Sequence, residues 1–175
     1  MNSTWLRFIL MSLLIIALQV WVLSPIALYR VATPYVYPVL LLLLPIRLKP
    51  TALTLIGFAL GSMIDILGIT PGLHASALTF VGFLRYYLVK PMLDKNMPDY
   101  LLPLYDTLKG GSILLLVELM TLHHVVLYLL DAGQYFDLPF LLIRLGAGWL
   151  YSMILALIVL FFFSIRLQPR PGHGQ

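Results

Sequence analysis

The sequence predicts an all-α integral membrane protein: one bundle of six transmembrane helices with both termini in the cytoplasm. Three observations predict it. The 175 residues are 61% hydrophobic and only 10% charged, with mean hydropathy +0.98. Soluble domains run at about 45–50% apolar and about 25% charged. Apolar runs recur near the length of about 20 residues that crosses a bilayer. The basic residues fall almost entirely at one end of those runs. With 11 Lys+Arg and 7 Asp+Glu the chain cannot coat a soluble surface. A soluble enzyme, a disordered tail and a nucleic-acid-binding domain are therefore excluded as first readings. The pI of about 9.4 and net charge of +4 report membrane topology rather than a nucleic-acid partner. The chain has no cysteine, which removes disulfides, thiolate nucleophiles and Cys-ligated metals.

The first run, Phe8–Leu28, follows Arg7 and ends near Pro25. It is too long for a signal-peptide core and lacks a small-x-small cleavage pattern, so it reads as an uncleaved helix. The second, Tyr35–Leu48, holds Pro38 and Pro45 with Pro34 just before it. Proline removes a backbone donor, so this span is expected to be bent or broken. Thr51–Leu67 and Leu73–Val89 are joined only by Gly68-Ile69-Thr70-Pro71-Gly72, which forces an antiparallel hairpin. Lys90–Lys109 is the one long polar connection. Its leucines interleave with charges, as in a short helix lying in the headgroup region, and an ordinary polar loop fits equally. The fifth and sixth runs are Gly110–Leu130 and Leu138–Ile165. Residues 1–167 thus form a single membrane domain, and the Pro/Gly-rich residues 168–175 a disordered cytoplasmic tail. No internal repeat is evident.

Six spans place Arg7, Arg47, Lys49, Lys90, Lys95, Lys109, Arg166 and Arg170 on one side, with Arg85 near the same edge, against Arg30 alone on the other. The positive-inside rule makes the crowded side cytoplasmic.

Ionisable groups within spans each need a partner or a wet cavity, because a charge at mid-helix costs roughly 2.5 kcal/mol or more. Asp65, His123, His124 and Arg144 all fall about 20 Å from the cytoplasmic edge, at a rise of about 1.5 Å per residue. His74 sits just above them, and Glu118 lies deeper toward the cytoplasm. An ion pair between Asp65 and Arg144, with a histidine nearby, is the expected arrangement. It reads either as a polar clamp between helices or as a substrate or proton site.

His123-His124 is a poor metal motif, since adjacent helical residues point about 100° apart and no carboxylate shares their face. Ser62, Ser76, Ser112 and Ser152 lack a recognisable nucleophile elbow or adjoining base. No catalytic residue, metal site or cofactor is expected. Gly57-Phe-Ala-Leu-Gly61 is a GxxxG, and Gly146-Ala-Gly148 with Ser152 forms a second small face. Such faces allow close helix approach, within the chain or to a partner.

The stretch Gly61-Ser-Met-Ile-Asp65 … Thr70-Pro71-Gly72-Leu73-His74-Ala75 resembles the MreD family of bacterial rod shape-determining membrane proteins. That family has Gly-x-x-x-Asp in one helix, a short Pro/Gly turn, and a small polar-plus-Ala start to the next. Length, six spans, the apolar N-terminus and the Lys-bearing middle loop match as well, over roughly Arg7 to Arg166. Many family members have a longer Pro-Leu-Gly turn, and Asn where this chain has His74. The resemblance implies a non-enzymatic scaffold of the inner membrane. It would bind an MreC-like single-pass protein. Through it the scaffold would serve the MreB filament, the RodA glycosyltransferase and a class B penicillin-binding transpeptidase in peptidoglycan synthesis. It also implies the fold of the six-helix substrate-binding subunits of ECF transporters, with a pocket open to the outside. The alternative function is therefore such a transporter subunit. Span one lacks the Ala-x-x-x-Ala docking face usual in those subunits.

Overall fold

The computed structural model describes residues 3–26, 32–134 and 136–166. Among these the chain is helical, with no strand. Helix α1 (Ser3–Leu18) continues as a π-helical turn over Gln19–Leu23. A single helical turn, α2 (Val39–Leu42), interrupts an otherwise irregular segment. The hairpin follows as α3 (Pro50–Gly68) and α4 (Leu73–Val89), then the short α5 (Tyr105–Leu108) and the long α6 (Gly110–Asp131) and α7 (Leu138–Arg166). Among the described residues three helices are long and apolar enough to cross a membrane: Pro50–Gly68, Gly110–Asp131 and Leu138–Phe162. At 17 residues α4 is slightly shorter, about 26 Å. The predicted tail lies outside the described residues, as do Arg30 and Arg170.

The second run departs most from a regular span. Only Val39–Leu42 is helical, yet every residue of that turn is fully buried, as are Leu44 and Tyr37. The segment is the centre of the molecule, and α1, α3, α4, α6 and α7 all contribute to the core around it. Irregular backbone survives at membrane depth only where protein encloses it and satisfies its polar groups. Proline at 34, 38 and 45 lowers the number of donors to satisfy. Turn hydrogen bonds such as Val39 N–H to the Val36 carbonyl meet some of the remaining groups, and side chains from three other parts of the chain meet others. Gln19 grips the segment with both amide atoms, Nε2 donating to the Pro34 carbonyl at 2.8 Å and Oε1 accepting from the Val36 N–H at 2.9 Å. The Tyr35 N–H donates to Ser152 Oγ of α7 at 2.7 Å. Arg85 of α4, fully buried, donates to the carbonyls of Leu44 and Pro45. Replacing Gln19 with Leu orphans two buried backbone groups. It is expected to cost about 1–2 kcal/mol, read as a lower unfolding midpoint in detergent.

The hairpin is held by backbone-to-backbone proximity. A Cβ on Gly61 would lie 2.5 Å from Ala75 Cα and 2.6 Å from the His74 carbonyl oxygen. One on Gly82 would lie 2.6 Å from the Leu53 carbonyl oxygen, and one on Gly57 would run into the Leu78 carbonyl. The GxxxG face of α3 is therefore filled by α4 of the same chain. Gly148 faces the Tyr128 ring, whereas nothing lies within 4 Å of a Cβ on Gly146.

The turn between α3 and α4 explains its own residues. Gly72 precedes α4 at φ 83°, a region open to glycine. Ile69 takes φ 54° at the end of α3, where a β-branched side chain is strained. Ile69→Gly is expected to raise stability by about 1 kcal/mol, measured by reversible unfolding in micelles.

The connection 90–109 is neither a continuous headgroup helix nor a detached loop. It opens with a 3-10 turn over Lys90–Met92 and ends in α5. Between them Leu93, Met97, Leu101, Leu102 and Leu104 turn into the core. The Leu101 carbonyl accepts the Ile46 N–H at 2.9 Å, tying the connection to the end of the central segment.

Candidate functional site

Asp65 stands in the last turn of α3, and its side chain reaches across the turn to the first turn of α4. Its Oδ1 accepts the His74 N–H at 3.0 Å and the Thr70 hydroxyl at 2.9 Å, and Oδ2 accepts the Ala75 N–H at 2.8 Å. These are donors of the α4 N-terminus that lack an intrahelical partner, so the carboxylate caps a helix that its own neighbour Gly72 cannot cap. A negative charge there also favours the positive end of the helix dipole.

This corrects the expected ion pair. Arg144 does not meet Asp65; its guanidinium pairs with Asp131 Oδ2 at 2.7 Å and lies over the Tyr128 and Phe140 rings. Equal depth did not imply adjacency, because Asp65 is turned inward to α4 while Arg144 meets the end of α6. With both side chains partly exposed, the pair is worth little. A double-mutant cycle on Asp131→Asn and Arg144→Gln should give a coupling of no more than about 1 kcal/mol.

Under the Asp65 cap lies a cluster of rings. The Tyr37 hydroxyl from the central segment sits 2.5 Å from His74 Nδ1 and 2.8 Å from His123 Nε2. One hydroxyl proton cannot serve two acceptors, so one histidine must donate to it. His123 Nδ1 is buried with no hydrogen-bond partner among the described residues. A bare lone pair there costs less than an orphaned N–H. Tyr37 therefore donates to His74, and His123 donates through Nε2–H to Tyr37.

His124 faces the other way. Its Nδ1 lies 2.8 Å from the Met120 carbonyl, to which it donates, and its Nε2 lies 2.9 Å from Ser152 Oγ. Ser152 Oγ also lies 2.6 Å from the Gly148 carbonyl, so its one proton is shared between that carbonyl and His124 Nε2. The two adjacent histidines thus address different partners on different helices. Ser152 does have an adjoining imidazole, contrary to the sequence reading. That imidazole is backed by a carbonyl rather than a carboxylate, and Ser152 and His124 are both fully buried. The half-buried Tyr35 ring roofs the cluster, its centroid 5.5 Å from His74, 5.9 Å from His124 and 6.2 Å from His123. The three imidazoles are themselves buried.

The structure therefore gathers His74, His123 and His124 with Asp65 at one end of the bundle, and leaves Arg144 at the margin. Glu118 is half-buried on α6, with Oε2 buried and without a hydrogen-bond partner among the described residues. Gly57, Gly61 and Gly148 serve packing within the chain, and Pro71 and Gly72 shape the turn.

Sequence reasoning missed Gln19, Tyr35, Tyr37 and the clamping role of Arg85. One signal was available. Gln19 is the one amide side chain within the first apolar run, and such residues seldom lack a partner. Tyr37 carried none, because a tyrosine in an apolar run reads as bulk. No family model, curated protein or solved structure matches this chain.

Proposed function

We propose that the chain is a multi-pass protein of the bacterial inner membrane and a non-enzymatic scaffold of the cell-elongation (rod) complex. In this reading it crosses the membrane six times with both termini cytoplasmic. It binds an MreC-like single-pass protein and so helps organise peptidoglycan synthesis around RodA, a class B penicillin-binding transpeptidase and the MreB filament. The observation that carries the reading is the use of the intramembrane polar groups. Asp65 caps α4, and Gln19, Arg85 and Ser152 hold the central segment. The histidines bond inward to Tyr37, Ser152 and backbone. Chemistry on a substrate would need some of these groups exposed in a cleft. What the protein offers outward is a set of apolar helix faces, such as Leu10, Leu13 and Leu14 on α1. The resemblance over Gly61–Ala75 supplies the identity of the partner.

The test is co-purification with an MreC-like protein from a common bacterial membrane. Stoichiometric co-elution is expected. Failure to associate, with both proteins folded and monodisperse, overturns the scaffold reading. Saturable binding of a vitamin by the purified chain would instead establish the transporter subunit.

A further inference from the structure

The antiparallel hairpin brings the N-terminus of α3 and the C-terminus of α4 to one end of the bundle. A cavity of about 510 Å³ opens there, between the hairpin and the 90–99 connection. That size is in the range of small-ligand sites, about 300–1,000 Å³. Four cations line it, Arg47, Lys49, Lys90 and Lys95, with Asp94 and Asp99. Arg47 is already occupied, its Nε bonded to Asp99 at 3.2 Å and its Nη2 to the carbonyls of Asp94 and Lys95 at 3.1 and 3.2 Å. The three lysines form no ion pair among the described residues, which leaves them in excess over Asp94. The Lys90 ammonium is held 5.9 Å from the centre of the Tyr86 ring. No side chain caps α3, whose first residue Pro50 forms part of the wall. The positive end of the helix dipole therefore adds to the lysines.

We propose that this cavity binds the phosphate headgroup of an anionic membrane lipid. A phosphate group is the chemistry that unpaired lysines beside the positive end of a helix favour. The surroundings select a lipid over a soluble phosphate. Further along the same two helices, Leu55, Phe58, Phe83 and Tyr87 are exposed apolar side chains, a surface along which acyl chains extend from a headgroup at the helix ends. The site is at the opposite end of the hairpin from the Asp65 cap, and it does not depend on the scaffold reading.

The test is a titration of the purified full chain, in neutral detergent, with phosphatidylglycerol, phosphatidylcholine and glycerol 3-phosphate, read by thermal shift and by native mass spectrometry. Phosphatidylglycerol alone should stabilise the wild-type chain and be retained by it. Each lysine near a membrane surface contributes a factor of about five. Lys49→Gln with Lys90→Gln should therefore weaken phosphatidylglycerol about 30-fold, and Lys49→Gln alone about fivefold. Lys109→Gln, outside the cavity, should change nothing. Equal affinity of wild type and the Lys49→Gln variant overturns the site. Equal stabilisation by phosphatidylcholine or by glycerol 3-phosphate overturns the lipid assignment.

Discussion

Gly61→Leu should unfold the hairpin. Even the first carbon of any side chain at 61 would sit 2.5 Å from Ala75 Cα and 2.7 Å from the Ala75 nitrogen. Those are backbone atoms of α4, with no rotamer to move aside, so the helices must separate along their length. Among the described residues this is the most extensive helix contact, and Gly57 and Gly82 continue it toward the far end of the hairpin. Overpacking costs typically 1–3 kcal/mol where side chains can adjust. Here the cost should be about 3 kcal/mol or more, a drop of about 10 °C in the unfolding midpoint in detergent. Gly146→Ala is the matched control, because its Cβ meets open space. It should be neutral or stabilise by up to about 1 kcal/mol through helix propensity. Equal losses at 61 and 146 would refute this account of the packing. In the membrane, close contact matters more than in water, since lipid tails solvate apolar helices as well as protein does.

Asp65→Ala should cost about 3 kcal/mol, the second largest loss. It removes three hydrogen bonds at once and leaves the buried N–H groups of His74 and Ala75 without an acceptor. Asp65→Asn keeps one accepting oxygen and should retain part of the stability. The loss should also reach the ring cluster, because the same cap holds His74 where it receives the Tyr37 proton. Amide exchange in detergent would show faster exchange at His74 and Ala75 before the rest of α4. Exchanging the residues at 65 and 144 should not restore the single reversals, since Arg144 bonds Asp131 instead. Restoration by that double swap would refute the capping role.

The helices were largely legible from the chain. Long apolar runs, the five-residue Pro/Gly turn and the flanking charges mark α3, α4, α6 and α7, and GxxxG announced close approach on α3. The histidines and Asp65 were legible as a layer from depth alone. Their partners were not. Depth follows from a rise per residue, which is local, whereas a bond needs the rotation of each helix and the path of the chain between them. Hence Asp65 and Arg144, matched in depth, point to different neighbours.

The central segment shows the same division. Pro34, Pro38 and Pro45 determined that residues 35–48 would not form a straight helix, because a missing donor and a fixed φ act on the local backbone. That the broken stretch becomes the core was decided by the tertiary structure. A run that is apolar on every side suits lipid and protein interior alike. Only once Gln19, Arg85 and Ser152 arrive from the π-helical turn after α1, from α4 and from α7 is the irregular backbone satisfied and its burial possible. The sequence by itself determined the class of protein, its helices and the prolines that interrupt them. Folding decided which polar side chain answers which orphaned backbone group, because that depends on three helices meeting at one place.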